Sequence, residues 1–188
     1  MGGTEGVLRR PRGAALALLV CSALTVAASW TVPAADAAEP GPALLVAVTA
    51  QDMGSFDRVT FQFRDPTPLP TITRAEYISR PVLADASGME IPIEGDAVFR
   101  IAMSPASGTD LTVNPPQMTY SGPTRIRADL PSVIELVETG DFESVLSWAI
   151  GLRSGAATIT AVVLTDPTRV QVDFPHVTAI VAPPSFTG

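Results

Sequence analysis

The 188-residue sequence has little of the chemistry on which most active sites depend, because it contains one cysteine, one histidine and no lysine. Cys21 lies within a leading apolar stretch, so the rest of the chain can form neither an internal disulfide nor a thiolate metal site. The single histidine, His176, excludes a histidine-rich metal cluster and an ordinary Ser-His-Asp arrangement. We expect His176 on the surface, after the last strand. The sequence therefore predicts no catalytic residues, no metal, no cofactor and no enzyme.

Charged residues are also few, at 16%, and acidic residues outnumber basic ones. The formal net charge is −7, whereas proteins that bind nucleic acids carry a basic footprint. DNA and RNA are therefore excluded as expected partners. An acidic protein favours a neutral or cationic partner over an anionic polymer.

The N-terminal residues are typical of a secretory signal. The basic segment Arg9–Arg12 precedes an apolar stretch over 13–28, and Ala35–Ala37 fits the small-x-small cleavage pattern. We predict that residues 1–37 are a signal peptide, cut after its last alanine, and that the product is secreted or held in the cell envelope. Two alternatives remain, an uncut membrane anchor and lipidation at Cys21, and only these would bring the chain to a membrane.

The remaining chain is predicted to be one all-β domain. Eighteen prolines and fourteen glycines favour short elements joined by tight turns. We expect a small antiparallel β-sandwich or open barrel, with a meander of short strands and at most one short helix. The predicted boundaries are a linker over 38–42, the β domain over 43–176 and a flexible C-terminal tail over 177–188.

Alternation of apolar and polar residues, together with β-branched content, predicts the strands. In Arg58–Arg64, Val59, Phe61 and Phe63 share one face, and the polar residues share the other. The other predicted strands are Leu44–Thr49, Ala75–Ser79, Phe99–Ser104, Thr158–Leu164 and Arg169–Phe174. The turn residues Thr165–Thr168 predict that the last two form a hairpin.

Two segments are harder to interpret. Asp141–Leu152 alternates, but it could also be a capped helix. We favour a strand that Ser154–Gly155 turns directly into the next one. The proline-rich segment Ser104–Pro131 is predicted to be a long loop of the kind that often carries binding, and Asp85–Gly88 and Glu94–Asp96 are predicted turns.

Several side chains are candidates for binding. Guanidinium groups suit carboxylates such as those of peptide stems, and aromatic rings offer large contact areas to a sugar or a peptide. The candidate ligand-binding residues are Arg58, Arg169, Tyr77, Tyr120 and Trp148. Arg64 and Arg100 also fall on the polar sides of their strands. For Trp148, alternation with aliphatic residues favours core packing instead.

Acidic residues offer two further interpretations. Asp85–Glu90 could offer oxygens to calcium, but its spacing does not match an EF-hand loop, so we interpret it as a turn. An acid-dependent hydrolase is a less favoured alternative, and its candidate residues are Glu135, Glu138, Asp141 and Glu143.

A set of short motifs carries a family resemblance. The motifs are Phe56–Val59, Tyr120–Pro123, Gly140–Glu143 with Leu146 and Trp148, Gly151–Leu152, and Leu164–Pro167 with Arg169. In order and spacing they resemble the AMIN-like domain of secreted bacterial envelope proteins, over residues 43–174. The resemblance implies kinship with the AMIN domain, a β-sheet module that targets cell-wall amidases to the envelope and is associated with peptidoglycan binding.

No amidase segment follows the motifs, so the resemblance implies a module that acts alone. It implies a non-catalytic secreted or envelope-binding module whose partner is peptidoglycan, another cell-wall component or an envelope protein. The alternative is a protein-interaction or scaffold module that pairs through an exposed strand edge.

Overall fold

A computed structural model of the chain describes residues 41–65, 68–155 and 158–176. The predicted signal peptide with Cys21 and its cleavage site, most of the predicted linker, and the tail over 177–188 lie outside these residues. Within the described ranges, no helix is long and apolar enough to cross a membrane.

The described residues form twelve strands and no helix, which confirms the all-β prediction. The strands are β1 (Ala43–Asp52), β2 (Phe56–Phe63), β3 (Thr71–Ile78), β4 (Ala97–Ser104), β5 (Ala106–Ser107), β6 (Thr109–Asp110), β7 (Gln117–Met118), β8 (Arg125–Arg127), β9 (Val133–Phe142), β10 (Val145–Leu152), β11 (Thr160–Leu164) and β12 (Arg169–Pro175). All six predicted strands appear, with ends that differ by a few residues.

The strands form two five-stranded sheets and a small two-stranded one. The first sheet has the order β11-β12-β2-β1-β5, and the second has the order β3-β4-β10-β9-β8. The short strands β6 and β7 pair with each other. Pairing is antiparallel throughout the large sheets except between β1 and β5.

Apolar side chains from both large sheets form one core. Phe61 of the first sheet lies with its ring centroid 5.8 Å from that of Trp148 in the second, and Phe99 and Phe174 make a second contact of 5.6 Å. All four are buried. Because alternate residues point to one face of a strand, the same pattern that buries these rings leaves an outer face on each sheet.

The prediction for Asp141–Leu152 is partly confirmed. Residues 145–152 form β10, so the strand interpretation is right and the helix is wrong. The segment begins, however, at the end of β9, and Glu143 and Ser144 make the hairpin turn with φ angles of 50° and 59°. The predicted direct turn through Ser154–Gly155 is wrong, because β10 pairs with β4 and β9, whereas β11 pairs with β12 in the other sheet.

The long loop predicted over Ser104–Pro131 contains the short strands β5 to β8, of which β5 and β8 extend the large sheets and β6 and β7 pair with each other. A different connection, residues 79–96 between β3 and β4, covers part of the second sheet's outer face. Its Val82 packs with Val98 and Ala149 in a small apolar cluster separate from the main core. A Cβ on Gly151 would lie 2.0 Å from the Glu94 carbonyl oxygen, so only glycine lets this connection approach β10 so closely.

Candidate binding groove on the outer face of the second sheet

The part of the outer face that the 79–96 connection leaves open contains two adjoining cavities. One has a volume of about 550 Å³ and the other about 420 Å³. Both are lined by Asp85 and Arg100, so the two cavities lie on either side of this pair. We call the combined space the Arg100 groove.

Strand alternation explains how the groove forms. Phe99, Ile101 and Met103 of β4 point into the core, so Arg100 and Ala102 point outward. On β10, Leu146 and Trp148 are in the core and Ser147 points outward, opposite Ala102. The small side chains of Ala102 and Ser147 leave depth beside the long side chain of Arg100.

Asp85 spans the central strand of this face. Its backbone N–H donates to the Thr139 carbonyl oxygen on β9 at 2.9 Å, and its carboxylate accepts a hydrogen bond from Arg100 on β4. Since β10 lies between β4 and β9, Asp85 crosses β10 near Ser147. Gly140 permits this approach, because a Cβ there would lie 2.8 Å from the Asp85 side chain.

Polar atoms without partners lie at the floor of the groove. Thr139 Oγ1, Ser147 Oγ and Arg100 Nε are buried and make no hydrogen bond to any part of the chain that is described. Ser147 is 0% exposed and Thr139 is 4% exposed. Buried polar groups in native proteins are nearly always hydrogen-bonded, to protein or to ordered water, so these atoms are open to a water or a ligand in the groove.

The walls of the groove are both apolar and charged. Tyr77 and Leu83 line one cavity, and Phe142, with 57% of its surface exposed, lines the other. Arg74 and Glu76 of β3 form an exposed ion pair of 3.4 Å beside Arg100. The groove therefore offers apolar surface, hydroxyl groups and charges of both signs.

A model of the AMIN-like domain family matches residues 43–176, which include every strand described above. The chain belongs to the AMIN-like domain family. No curated protein and no solved structure matches it. Membership indicates an envelope-associated binding module of the kind found in secreted envelope proteins, and such modules are generally non-catalytic.

In this AMIN-like domain, the two predicted arginines lie on the first sheet and do not line the groove. The Arg58 guanidinium makes two hydrogen bonds of 2.7 and 2.8 Å to Asp173 and lies over the Phe56 ring. The hydrogen bond to Asp173 raises the pKa of Arg58. Arg169 donates to the Pro167 carbonyl oxygen at 2.8 Å. Binding through Arg58 and Arg169 stays a prediction.

Of the three predicted aromatic residues, only Tyr77 lines the Arg100 groove, with 39% of its surface exposed. Trp148 is 0% exposed, so the core packing that alternation favoured is what the structure shows. Tyr120 is 7% exposed, its ring contacts Trp148, and its hydroxyl donates to the Pro123 carbonyl oxygen at 2.8 Å. Neither buried ring is presented to a ligand in this structure.

The four predicted acidic residues do not converge on one site. Glu135 is buried on the outer side of the second sheet, where it accepts hydrogen bonds from the Glu94 N–H and from Arg125. Asp141 accepts from the Ser107 hydroxyl and the Gly108 N–H. Both carboxylates therefore hold neighbouring segments in place.

The other two acids differ in exposure. Glu143 is exposed in the hairpin turn. Glu138 pairs with the inward-facing Trp148, and burial, followed by the charge of Asp141, raises the pKa of Glu138. Only Glu138 thus combines partial burial with a shifted pKa.

Asp52, Asp57 and His176 could in principle hold a metal ion, because one ligand atom of each lies within 4.8 Å of the others. Their hydrogen bonds give a structural explanation instead. One Asp57 oxygen lies 2.7 Å from His176 Nε2, and the other accepts the Ser132 and Val133 N–H groups. His176 does follow the last strand, but only 20% of its side chain is exposed, so it is half-buried and not on the open surface that the sequence predicts.

Sequence reasoning identified Arg100 as an outward arginine and Asp85 as a turn residue, without joining them. It did not identify Thr139 or Ser147. A usable signal was present for Ser147, because it is the one hydroxyl residue within the apolar strand Val145–Leu152. Arg100, Ser147 and Thr139 are brought together because β4, β10 and β9 pair side by side. No local sequence pattern predicts that pairing.

Proposed function

We propose that this AMIN-like domain is a non-catalytic module that attaches its chain to peptidoglycan through the Arg100 groove. The family supports the binding role. The observation that supports this location is the cluster of buried polar atoms without partners, Thr139 Oγ1, Ser147 Oγ and Arg100 Nε. A ligand with polar groups would supply the hydrogen bonds that these atoms lack.

The composition of the groove supports a ligand that is partly polar and carries charges of both signs. Arg74 and Arg100 contribute two positive charges, and Glu76, Asp85 and Glu143 contribute three negative ones. Peptidoglycan combines neutral sugars with short peptides that carry carboxylates and amines. A long polyanion fits less well, because the chain as a whole has a net charge of −7.

The function also requires export. We propose that residues 1–37 direct the chain out of the cytoplasm and are removed after Ala37. Mass spectrometry of the protein recovered from the envelope and the culture medium tests this. A mature N-terminus at Ala38 is expected. An intact N-terminus would instead indicate an uncut membrane anchor, and a lipid on Cys21 would indicate a lipidated protein.

Retention on purified peptidoglycan sacculi tests the binding role. The exported protein should co-sediment with sacculi more than an unrelated acidic domain does. Arg100→Gln removes the guanidinium of the groove, and Arg169→Gln is a matched control that removes a guanidinium from the first sheet.

We expect Arg100→Gln to reduce retention about tenfold, which corresponds to one charge-assisted hydrogen bond. Arg169→Gln should leave it unchanged. The reverse result would place the site on the face with Arg58 and Arg169, and no retention of the unmodified protein would refute peptidoglycan binding.

A second candidate function is pairing of an exposed strand edge with an envelope protein. β3 is an edge strand of the second sheet, and six of its eight residues are exposed. Arg74 and Glu76 lie on it, and charges of this kind commonly protect an edge from pairing. Cross-linking in intact cells tests this candidate, since a captured partner at β3 would support it and monomer alone would refute it.

A further inference from the structure

We propose that Asp85 is an internal substitute for the carboxylate of a peptide ligand. In this proposal the Arg100 groove takes a peptide with a free carboxylate, which replaces Asp85 on the Arg100 guanidinium. The inference rests on the proposed function, because it names the chemical class of ligand for the same groove.

The hydrogen-bonding capacity of the groove floor supports a carboxylate. The Nε–H of Arg100 and the hydroxyls of Thr139 and Ser147 can each donate a hydrogen bond, and none has a partner within the described ranges. An ionised carboxylate only accepts, and its two oxygens offer about four lone-pair positions. Three donors without partners along the floor of the groove therefore match a carboxylate better than an amine or an apolar group.

Asp85 uses only part of this capacity. Its carboxylate pairs with one terminal nitrogen of Arg100, and it makes no hydrogen bond to Thr139 or Ser147 through its side chain. A ligand carboxylate is not held by the turn from which Asp85 projects, so it can approach the guanidinium from another direction. It can then engage the donors that Asp85 leaves unused.

The position of Asp85 suits its displacement. It lies in a surface turn between Ala84 and Gly88, closed by a hydrogen bond of 2.8 Å from the Gly88 N–H to the Ala84 carbonyl oxygen. The side chains of Asp85 and Arg100 are each 25% exposed. Exchange of one carboxylate for another leaves Arg100 with an anionic partner throughout. The displaced Asp85 carboxylate can turn to solvent, because the residue is exposed in its turn.

The surroundings favour a peptide over a small inorganic anion. Glu76 lies opposite Arg100 on β3, and Glu143 lines the second cavity. These acids repel a multiply charged anion, and they can accept hydrogen bonds from the amide or amine groups of a peptide. The exposed ring of Phe142 and the side chain of Leu83 offer apolar contacts on either side of Arg100.

Calorimetric titration of the exported protein with N-acetyl-D-alanyl-D-alanine and with its C-terminal amide tests the inference. The acid should bind roughly tenfold more tightly than the amide, because only the acid carries the carboxylate. Asp85→Asn removes the internal competitor, so it should tighten binding of the acid several-fold. Asp96→Asn, an exposed change on the same connection, is the control and should have no effect.

Ser147→Ala removes one of the unused donors and should weaken binding of the acid, while thermal unfolding verifies that the variant is folded. Equal binding of acid and amide, or an Asp85→Asn affinity no higher than that of Asp96→Asn, overturns the inference. Retention on sacculi separates the two proposals. Retention without a preference for the acid refutes the carboxylate ligand and the role of Asp85 but not peptidoglycan binding, whereas a preference for the acid without retention refutes only peptidoglycan as the ligand.

Discussion

The Asp57 carboxylate and the His176 ring, 119 residues apart, are joined by a contact of 2.7 Å between Oδ1 and Nε2. The other Asp57 oxygen accepts hydrogen bonds of 2.6 and 2.8 Å from the Ser132 and Val133 N–H groups. Asp57 belongs to the first sheet and Val133 begins β9 of the second. One buried carboxylate thus joins the end of β12 and both sheets at the same edge of the core.

Replacement of Asp57 by alanine should destabilise the domain by about 3–5 kcal/mol. The carboxylate is 0% exposed, and its loss leaves two backbone N–H groups without an acceptor. Urea unfolding measures the effect. Asp52→Ala is the control, since Asp52 is exposed and loses a local hydrogen bond from the Gly54 N–H and a 3.8 Å contact with His176 Nε2, and it should cost less than about 1 kcal/mol. Equal losses in the two variants would contradict the structural role of Asp57.

Stability should depend on pH through His176. The hydrogen bond to Asp57, aided by the charges of Asp57 and Asp52, raises the pKa of His176 above its ordinary value of 6.5. A pKa that is higher in the folded state means that the stabilisation is complete below pH 6.5. It is lost as the pH rises through the folded pKa.

The free energy of unfolding should therefore fall between pH 6 and pH 9 in the unmodified protein. His176→Gln cannot titrate, so it should show a flatter profile over the same range. Urea unfolding at several pH values provides the measurement. A slope that is identical in the two proteins would assign the pH dependence to other groups.

Glu138 should reduce stability at neutral pH. Burial, and then the charge of Asp141, raises the pKa of Glu138 above 4.5, so the folded state holds the proton more tightly than the unfolded state does. Stability from this group is present below pH 4.5 and is lost as the pH rises through the folded pKa.

Glu138→Gln should accordingly raise the melting temperature at pH 7.5 by about 1–3 °C, a small effect because the side chain is only partly buried. At pH 4 the same variant should show a much smaller change. Differential scanning calorimetry at the two pH values makes the comparison. Glu143→Gln, an exposed neighbour, should change neither melting temperature, and an equal gain from it would refute the explanation by burial.

Trp148 should matter for stability and not for binding. Its ring is fully buried between Phe61 and Tyr120. Trp148→Phe leaves a cavity and should cost about 1–3 kcal/mol in urea unfolding. Retention of the folded variant on sacculi should equal that of the unmodified protein. A loss of retention in a folded variant would instead show that Trp148 takes part in binding.

For the arginines, the sequence predicted the face of the strand on which each one lies but not the partners of its side chain. Alternation placed Arg58, Arg100 and Arg169 on the outer sides of their strands, and the structure agrees. It could not tell that Arg58 faces Asp173 while Arg100 adjoins two buried hydroxyls without partners. Those differences arise from neighbours on other strands, at least 39 residues away along the chain in each case.

The sequence by itself determined the all-β class, the positions of six strands and the family, because side-chain alternation and turn chemistry are local properties. Only the tertiary structure decided that β10 and β11 belong to different sheets. It also decided that Asp57 contacts His176 and that Asp85, Thr139 and Ser147 lie near Arg100. The physical reason is that strand pairing and loop packing depend on burial summed over the whole core, and many pairings are compatible with the same local pattern.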